Sequence, residues 1–185
     1  MRVSEPAKLP PSLIVRAATN DDVLVMAQVH IASWRETYPG LLPEPMLARL
    51  SIASEAIRRQ RMLDRPRASG RTLAFVAEHE GEVVAYASCN DQRSGPLHHR
   101  GFTGEVSELY VLRKAQRQGF GSRLMAALAN ALFERGHRGY SLWVVEQNAP
   151  ARQFYERLGG ILIAERRDGL AQVAYGWSGP SLAAS

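Results

Sequence analysis

The chain has 185 residues, 45% of them hydrophobic, a size and composition that suit one domain with a sizeable core. Its formal net charge is +5 at pH 7, but the arginines are scattered and acidic residues lie among them, which argues for a solvated mixed surface and against a nucleic-acid-binding face. No apolar run approaches membrane-spanning length and no signal peptide is visible, while the single Cys89 excludes an internal disulfide and fits a reducing, cytoplasmic setting.

Residues 1–11, with Pro6 and Pro10, read as a loose arm, residues 12–178 as a single domain and residues 179–185 as a tail. Ser12 to Ala18 reads as a first strand. Asn20 or Asp21 caps a helix whose apolar face is Val23, Met26, Ala27, His30 and Trp34. Pro39-Gly40 and Pro43 break it, and a second helical stretch runs to about Leu63. A polar loop from Arg65 to Arg71 follows. Thr72 to His79 and Glu82 to Asn90 form a hairpin around Glu80-Gly81. Gln92 to Gly104, with His98 and His99, reads as a loop, and Glu105 to Leu112 as the central strand. Phe120, Leu124, Leu128 and Leu132 then mark a helix ending near Gly136. Leu142 to Val145 is a buried strand and Ala149 to Leu158 a short helix. Ile161 to Arg166 and Gln172 to Trp177 pair around Asp168-Gly169. No internal repeat or linker divides the chain.

The most informative stretch is Leu109 to Leu124. A strand enters a basic loop that closes as Gln116-x-x-Gly119-x-Gly121 and opens directly onto a helix. Such a junction presents free backbone N–H groups where the helix dipole also favours negative charge, so it suits a phosphate. Arg113, Lys114, Arg117 and Arg123 add positive charge. The loop lacks the third glycine of a dinucleotide fingerprint and the lysine of a P-loop. Taken alone it is equally a strand–turn–helix corner. A second block follows the strand at Trp143: Asn148-Ala149-Pro150-Ala151-Arg152-Gln153-Phe154-Tyr155-Glu156-Arg157-Leu158-Gly159.

Together the two blocks resemble the GNAT N-acetyltransferase superfamily. Its motif Gln/Arg-x-x-Gly-x-Gly/Ala is matched by Gln116, Gly119 and Gly121. Its motif Asn-x-x-Ala-x-x-Phe-Tyr-x-x-x-Gly is matched by Asn148, Ala151, Phe154, Tyr155 and Gly159. The resemblance runs from about Leu13 to Trp177. It implies an α/β (mixed α+β) fold with a right-handed parallel crossover. The sheet is mixed and mostly antiparallel, with about seven strands, a splayed parallel pair at the cofactor site and about four flanking helices.

The resemblance also implies acetyl-CoA as co-substrate, with its pyrophosphate on the loop formed by Gln116, Arg117, Gln118, Gly119, Phe120, Gly121 and Ser122. The pantetheine arm lies along Leu109 and Val111, and Asn148 contacts that arm or orders the neighbouring strand. Tyr155 matches the family's general acid and adjoins the cofactor; its alternative role is helix packing beside Phe154. Two central-strand glutamates are candidate bases. Strict alternation puts Glu105 and Glu108 on opposite faces, although family members often carry a bulge there. Glu105 aligns with the catalytic glutamate of the histone-acetylating branch and is preferred; Glu146 is a third candidate. Trp34 and Tyr38 share a helical face in a segment that looks like the family's substrate-side helix, so they are candidate acceptor-binding residues and equally candidate core packing. No metal motif is present, and His30 reads as a core histidine.

The reading is therefore an acetyl-CoA-dependent N-acetyltransferase acting on a small-molecule or amino-acid-like amine by direct attack in a ternary complex. Its rivals are a protein N-terminal or lysine acetyltransferase and a non-catalytic acyl-CoA-binding module. Neither nucleic acid nor membrane is an expected partner; homodimerisation stays open.

Overall fold

The computed structural model describes residues 13–64 and 72–179. The expected arm at 1–11 and the polar loop at Arg65–Arg71 lie outside these residues. Seven strands form one sheet: β1 (Leu13–Ala17), β2 (Leu73–His79), β3 (Glu82–Asp91), β4 (Gly104–Val111), β5 (Gly139–Val145), β6 (Ile161–Arg166) and β7 (Gln172–Ser178). Their order is β1-β2-β3-β4-β5-β7-β6. Every neighbouring pair is antiparallel except β4 with β5. The helices are α1 (Val23–Thr37), α2 (Glu44–Ala48), α3 (Ile52–Asp64), α4 (Gly95–His99), α5 (Phe120–Glu134) and α6 (Ala149–Arg157).

The sequence expectation of about four helices is corrected to six among the described residues. The second helical stretch divides into α2 and α3 at Arg49–Ser51, and the segment read as a loop after Gln92 contains α4. Both α2 and α4 have five residues, too few for a hydrophobic period to show. Each carries a proline in its first turn, where the missing N–H costs nothing.

The sheet separates two cores. On one face α5 sets Phe120, Leu124, Leu128 and Leu132 against Ala85, Ala87 and Cys89 of β3. Each fully buried leucine contributes about 1.5–3 kcal/mol relative to an exposed one. Burial pushes the Cys89 thiol up to about 12, so it is an inert core residue. On the other face Met26 and Val29 of α1 pack on Val76 and Tyr86. The α5 crossover connects β4 to β5, yet the two strands pair only at Gly104↔Tyr140 and Glu105↔Ser141. Beyond Glu105 they splay apart.

Candidate active site

The central strand decides where the acidic groups point. Ser88 of β3 pairs with Glu108 of β4, but the next residue, Cys89, pairs with Val106, so Ser107 is the extra residue of a bulge. Asn90 then pairs with Glu105. Ser88 and Asn90 lie two apart on a strand and share a face. Their partners Glu108 and Glu105 therefore share it too, the face covered by α1 and α3. Strict alternation in the sequence had separated them.

The two carboxylates have different surroundings. Glu105 is 5% exposed and committed to Arg93. It accepts the Arg93 backbone N–H at 3.0 Å and Nη2 at 2.5 Å. Glu108 lines a cavity of about 730 Å³, bounded by α3, the ends of β3 and β4 and the Gln92–Arg93 turn. Its Oε2 accepts from Ser88 Oγ at 3.2 Å, and its Oε1 lies 3.1 Å from Arg59 Nη2. Burial raises the Glu108 carboxyl above the ordinary range; Arg59 and Ser88 draw it back, and Glu55 pushes it further up.

Arg59, which sequence reasoning missed, organises this region. Its side chain is 2% exposed. One guanidinium nitrogen meets His30 Nδ1, lies 3.2 Å from Glu55 Oε2, and reaches Glu108. The guanidinium stands 5.3 Å over the Tyr86 ring. His30 Nδ1 also lies 3.2 Å from Tyr86 Oη. Burial, then Arg59 and Arg58, hold the His30 imidazole down at about 3, so it is neutral near pH 7 and suited to accept from Arg59. The available signal was Glu55 and Arg59, four residues apart, on the same helical stripe as Met62. A charged pair within a stripe that faces the core marks an internal ion pair.

The loop before α5 matches its expected form. Gly119 is the N-cap of α5 with φ 87°, where an L-side chain costs about 1–2 kcal/mol. A Cβ on Gly121 would stand 3.0 Å from Phe154 Cζ, so the glycine of one motif makes room for the aromatic ring of the other. The first-turn amides of a helix have no intrahelical acceptor. Gln118, Gly119 and Ser122 are exposed, while the Phe120 side chain is buried and offers only its backbone at this junction. Gln116 Nε2 donates to the Val111 carbonyl at 3.1 Å, and Gln118 Nε2 to that of Lys114 at 2.9 Å. The Arg113 N–H donates to Glu36 Oε2 at 2.9 Å, tying the loop to the end of α1.

Leu112 donates its N–H to Val84 on the β3 side at 3.0 Å. Alternation turns the backbone groups of Val111 and Leu109 the other way, into the splay beside β5. Asn148 caps α6, its Oδ1 accepting the Ala151 N–H at 3.3 Å. Burial raises the Tyr38 phenol above its usual value and Asn148 draws it back. Burial, then Tyr38, raises the Tyr155 phenol well above its usual value, so it stays protonated. Trp34 donates from Nε1 to Tyr110 Oη at 3.0 Å and packs edge-on to Tyr38 with ring centroids 5.0 Å apart. Neither Trp34 nor Tyr38 lines the 730 Å³ cavity. Glu146 pairs with Arg167 at 3.1 Å. Among the described residues no cluster of three His, Cys, Asp or Glu could hold a metal ion, and no helix is long and apolar enough to cross a membrane.

A mixed sheet with a splayed parallel pair, opening beside an amide-rich helix start, is the architecture of an acetyl-group-transferring α/β enzyme. The chain belongs to the acetyltransferase (GNAT) family, whose model matches residues 30–160. It is 33% identical over 176 residues to YuaI of Bacillus subtilis, an uncharacterized N-acetyltransferase, covering 92% of this chain and 94% of that one. Among solved structures it resembles the PaiA N-acetyltransferase of Thermoplasma acidophilum in complex with coenzyme A, with TM-score 0.74 and 17% identity over 90% of this chain and 99% of that one. It also resembles YncA of Salmonella typhimurium, a putative acetyltransferase with its cofactor acetyl-CoA, with TM-score 0.65 and 19% identity over 90% and 94% of the two chains.

Proposed function

We propose that this protein moves an acetyl group from acetyl-CoA to the primary amine of a small-molecule or amino-acid-like acceptor, by direct attack in a ternary complex. The observation that carries the reading is the coincidence of the β4–β5 splay with the helix start at Gly119.

The loop amides from Gln118 to Ser122, with Arg117 beside them, fit the cofactor's pyrophosphate. The Leu109 and Val111 backbone groups in the splay fit its amide-bearing arm, and the Val111 N–H suits the thioester oxygen. Such a donor is worth a few kcal/mol of barrier when it meets developing negative charge. The acceptor's ammonium gives a proton to Glu108, directly or through one water. The free amine attacks the acyl carbon, forming the C–N bond as the C–S bond breaks. Tyr155 donates its phenolic proton to the departing sulfur, the newly formed amide nitrogen sheds its second proton through water to the Tyr155 phenolate, and Glu108 returns its proton to solvent.

Glu108 is preferred over Glu105 as the base, reversing the order drawn from sequence. Both carboxylates are ion-paired, Glu105 with Arg93 and Glu108 with an Arg59 that Glu55 shares, and Glu108 is the one that lines the cavity. The volume of the cavity suits a compact acceptor. Calorimetry of CoA binding tests the cofactor site. Gly119→Asp puts a side chain and a negative charge at the phosphate position, Gly121→Asp drives a charged side chain against Phe154 under the same helix start, and each is expected to abolish binding. Undiminished affinity in both variants would remove the site.

A further inference from the structure

The cavity wall carries more positive charge than the fold uses. Arg58, Arg59, Arg61 and Arg93 line it, facing the carboxylates of Glu108 and Asp91. Arg59 is occupied by Glu55 and Glu108, and Arg93 by the buried Glu105. Asp91 lies 3.2 Å from His137 Nε2. Arg58 and Arg61 remain, three residues apart on α3 and so on adjoining turns of one helix side. Arg58 reaches Glu55 only at 3.6 Å, a carboxylate already shared with Arg59, and its side chain is 72% exposed. Arg61 makes no ion pair with a described residue.

The cavity is thus polarised. A carboxylate suited to a cationic amine stands on the sheet side, and two guanidinium groups with charge to spare stand on the α3 side. Ser54, Thr72, Ser88 and Asn90 supply hydrogen-bonding groups between them.

Resting on the acetyltransferase reading, we propose that the acceptor carries a carboxylate besides its reactive amine, bound by Arg58 and Arg61 while the amine meets Glu108. Guanidinium groups are matched to carboxylates in shape and charge. Opposite charges at the two ends of the acceptor fix its direction in the cavity, so that the amine, not the acid, faces the site of transfer. An acceptor with a free amine alone leaves the two arginines without a role.

The test is thiol release from acetyl-CoA with amine pairs that differ only in a terminal carboxylate, such as 4-aminobutyrate with butylamine and 5-aminovalerate with pentylamine. The acid member of a pair is expected to have a kcat/KM at least about tenfold higher, the scale of one charge-assisted contact. Arg58→Glu and Arg61→Glu should each cut that ratio about tenfold or more. The ratio is the readout because a general loss of activity affects both members alike. Equal or faster turnover of the neutral members overturns the proposal, as does an acid preference that survives in the double variant. If the protein binds CoA in calorimetry yet acetylates no amine in the panel, the transferase reading falls and this proposal falls with it. Turnover without acid preference overturns the proposal alone.

Discussion

Glu105 and Glu108 project from the same face of β4 although they stand three positions apart, because the bulge at Ser107 inverts the parity between them. One is held by Arg93 and the other is left at the cavity wall between Ser88 and Arg59. This division assigns different consequences to two chemically identical substitutions.

If Glu108 takes the amine proton, Glu108→Gln lowers kcat/KM at neutral pH by about 10²- to 10⁴-fold. Activity recovers in part at high pH, as free amine appears. Glu105→Gln removes the charge that neutralises Arg93, so its main effect is a lower melting temperature, without recovery at high pH. Rate profiles against pH for both variants decide the matter, and the opposite pattern restores Glu105 as the base.

If Glu108 is the base, its neighbours set the acid limb of the rate profile. A base works only when deprotonated, so raising its pKa moves the limb to higher pH and lowering it moves the limb down. Burial already places the Glu108 carboxyl above the usual carboxylate range. Ser88→Ala removes a hydrogen bond to the charged form and should shift the limb upward. Glu55→Gln removes a like charge and should shift it downward. Parallel shifts in kcat/KM for both variants would show that another group governs the limb.

Tyr155→Phe keeps the ring that packs against Phe154 and removes the proton. The expected result is a fall in kcat of about ten- to a thousand-fold with CoA affinity nearly unchanged. Pre-steady-state thiol release and CoA calorimetry separate the two effects. An unaltered kcat would leave solvent as the proton donor and Tyr155 as packing.

Tyr38→Ala tests whether the end of α1 reaches the acceptor. Tyr38 packs edge-on to Trp34 at the end of α1 and does not line the cavity beside Glu108. If it is an acceptor wall, KM for the acceptor rises while that for acetyl-CoA changes little, since a wall supplies uniform binding. The measurement is two-substrate kinetics with melting temperature as a control. A folded variant with unaltered acceptor KM confines the acceptor to the Glu108 side.

Gly121→Ala brings a Cβ to 3.0 Å from Phe154 Cζ. The ring must shift, so the melting temperature should fall by a few degrees, as about 1 kcal/mol of strain predicts for a domain of this size. CoA affinity should fall with it, because the displaced helix start carries the amides. A variant with wild-type stability and affinity would show that Phe154 yields freely.

What the sequence determined by itself was local. The loop before α5 is legible because consecutive backbone amides and two glycines build it, and Gly119, Gly121 and Phe154 remain recognisable as spaced letters. The helix of Phe120, Leu124, Leu128 and Leu132 and the hairpin at Glu80-Gly81 are legible for the same reason: each depends on neighbours a few residues away. The surroundings of the base are not of this kind. Glu108 is defined by Ser88 from β3, and by Arg59 and Glu55 from α3, segments that meet only when the sheet is assembled. The bulge at Ser107 is a matter of register between strands and has no side-chain signature. Arg59 resembles a solvent-facing cation until burial against Tyr86 makes its charge part of the core. Tertiary structure decided which glutamate lines the cavity, because long-range packing, not residue type, sets a carboxylate's partners and its desolvation.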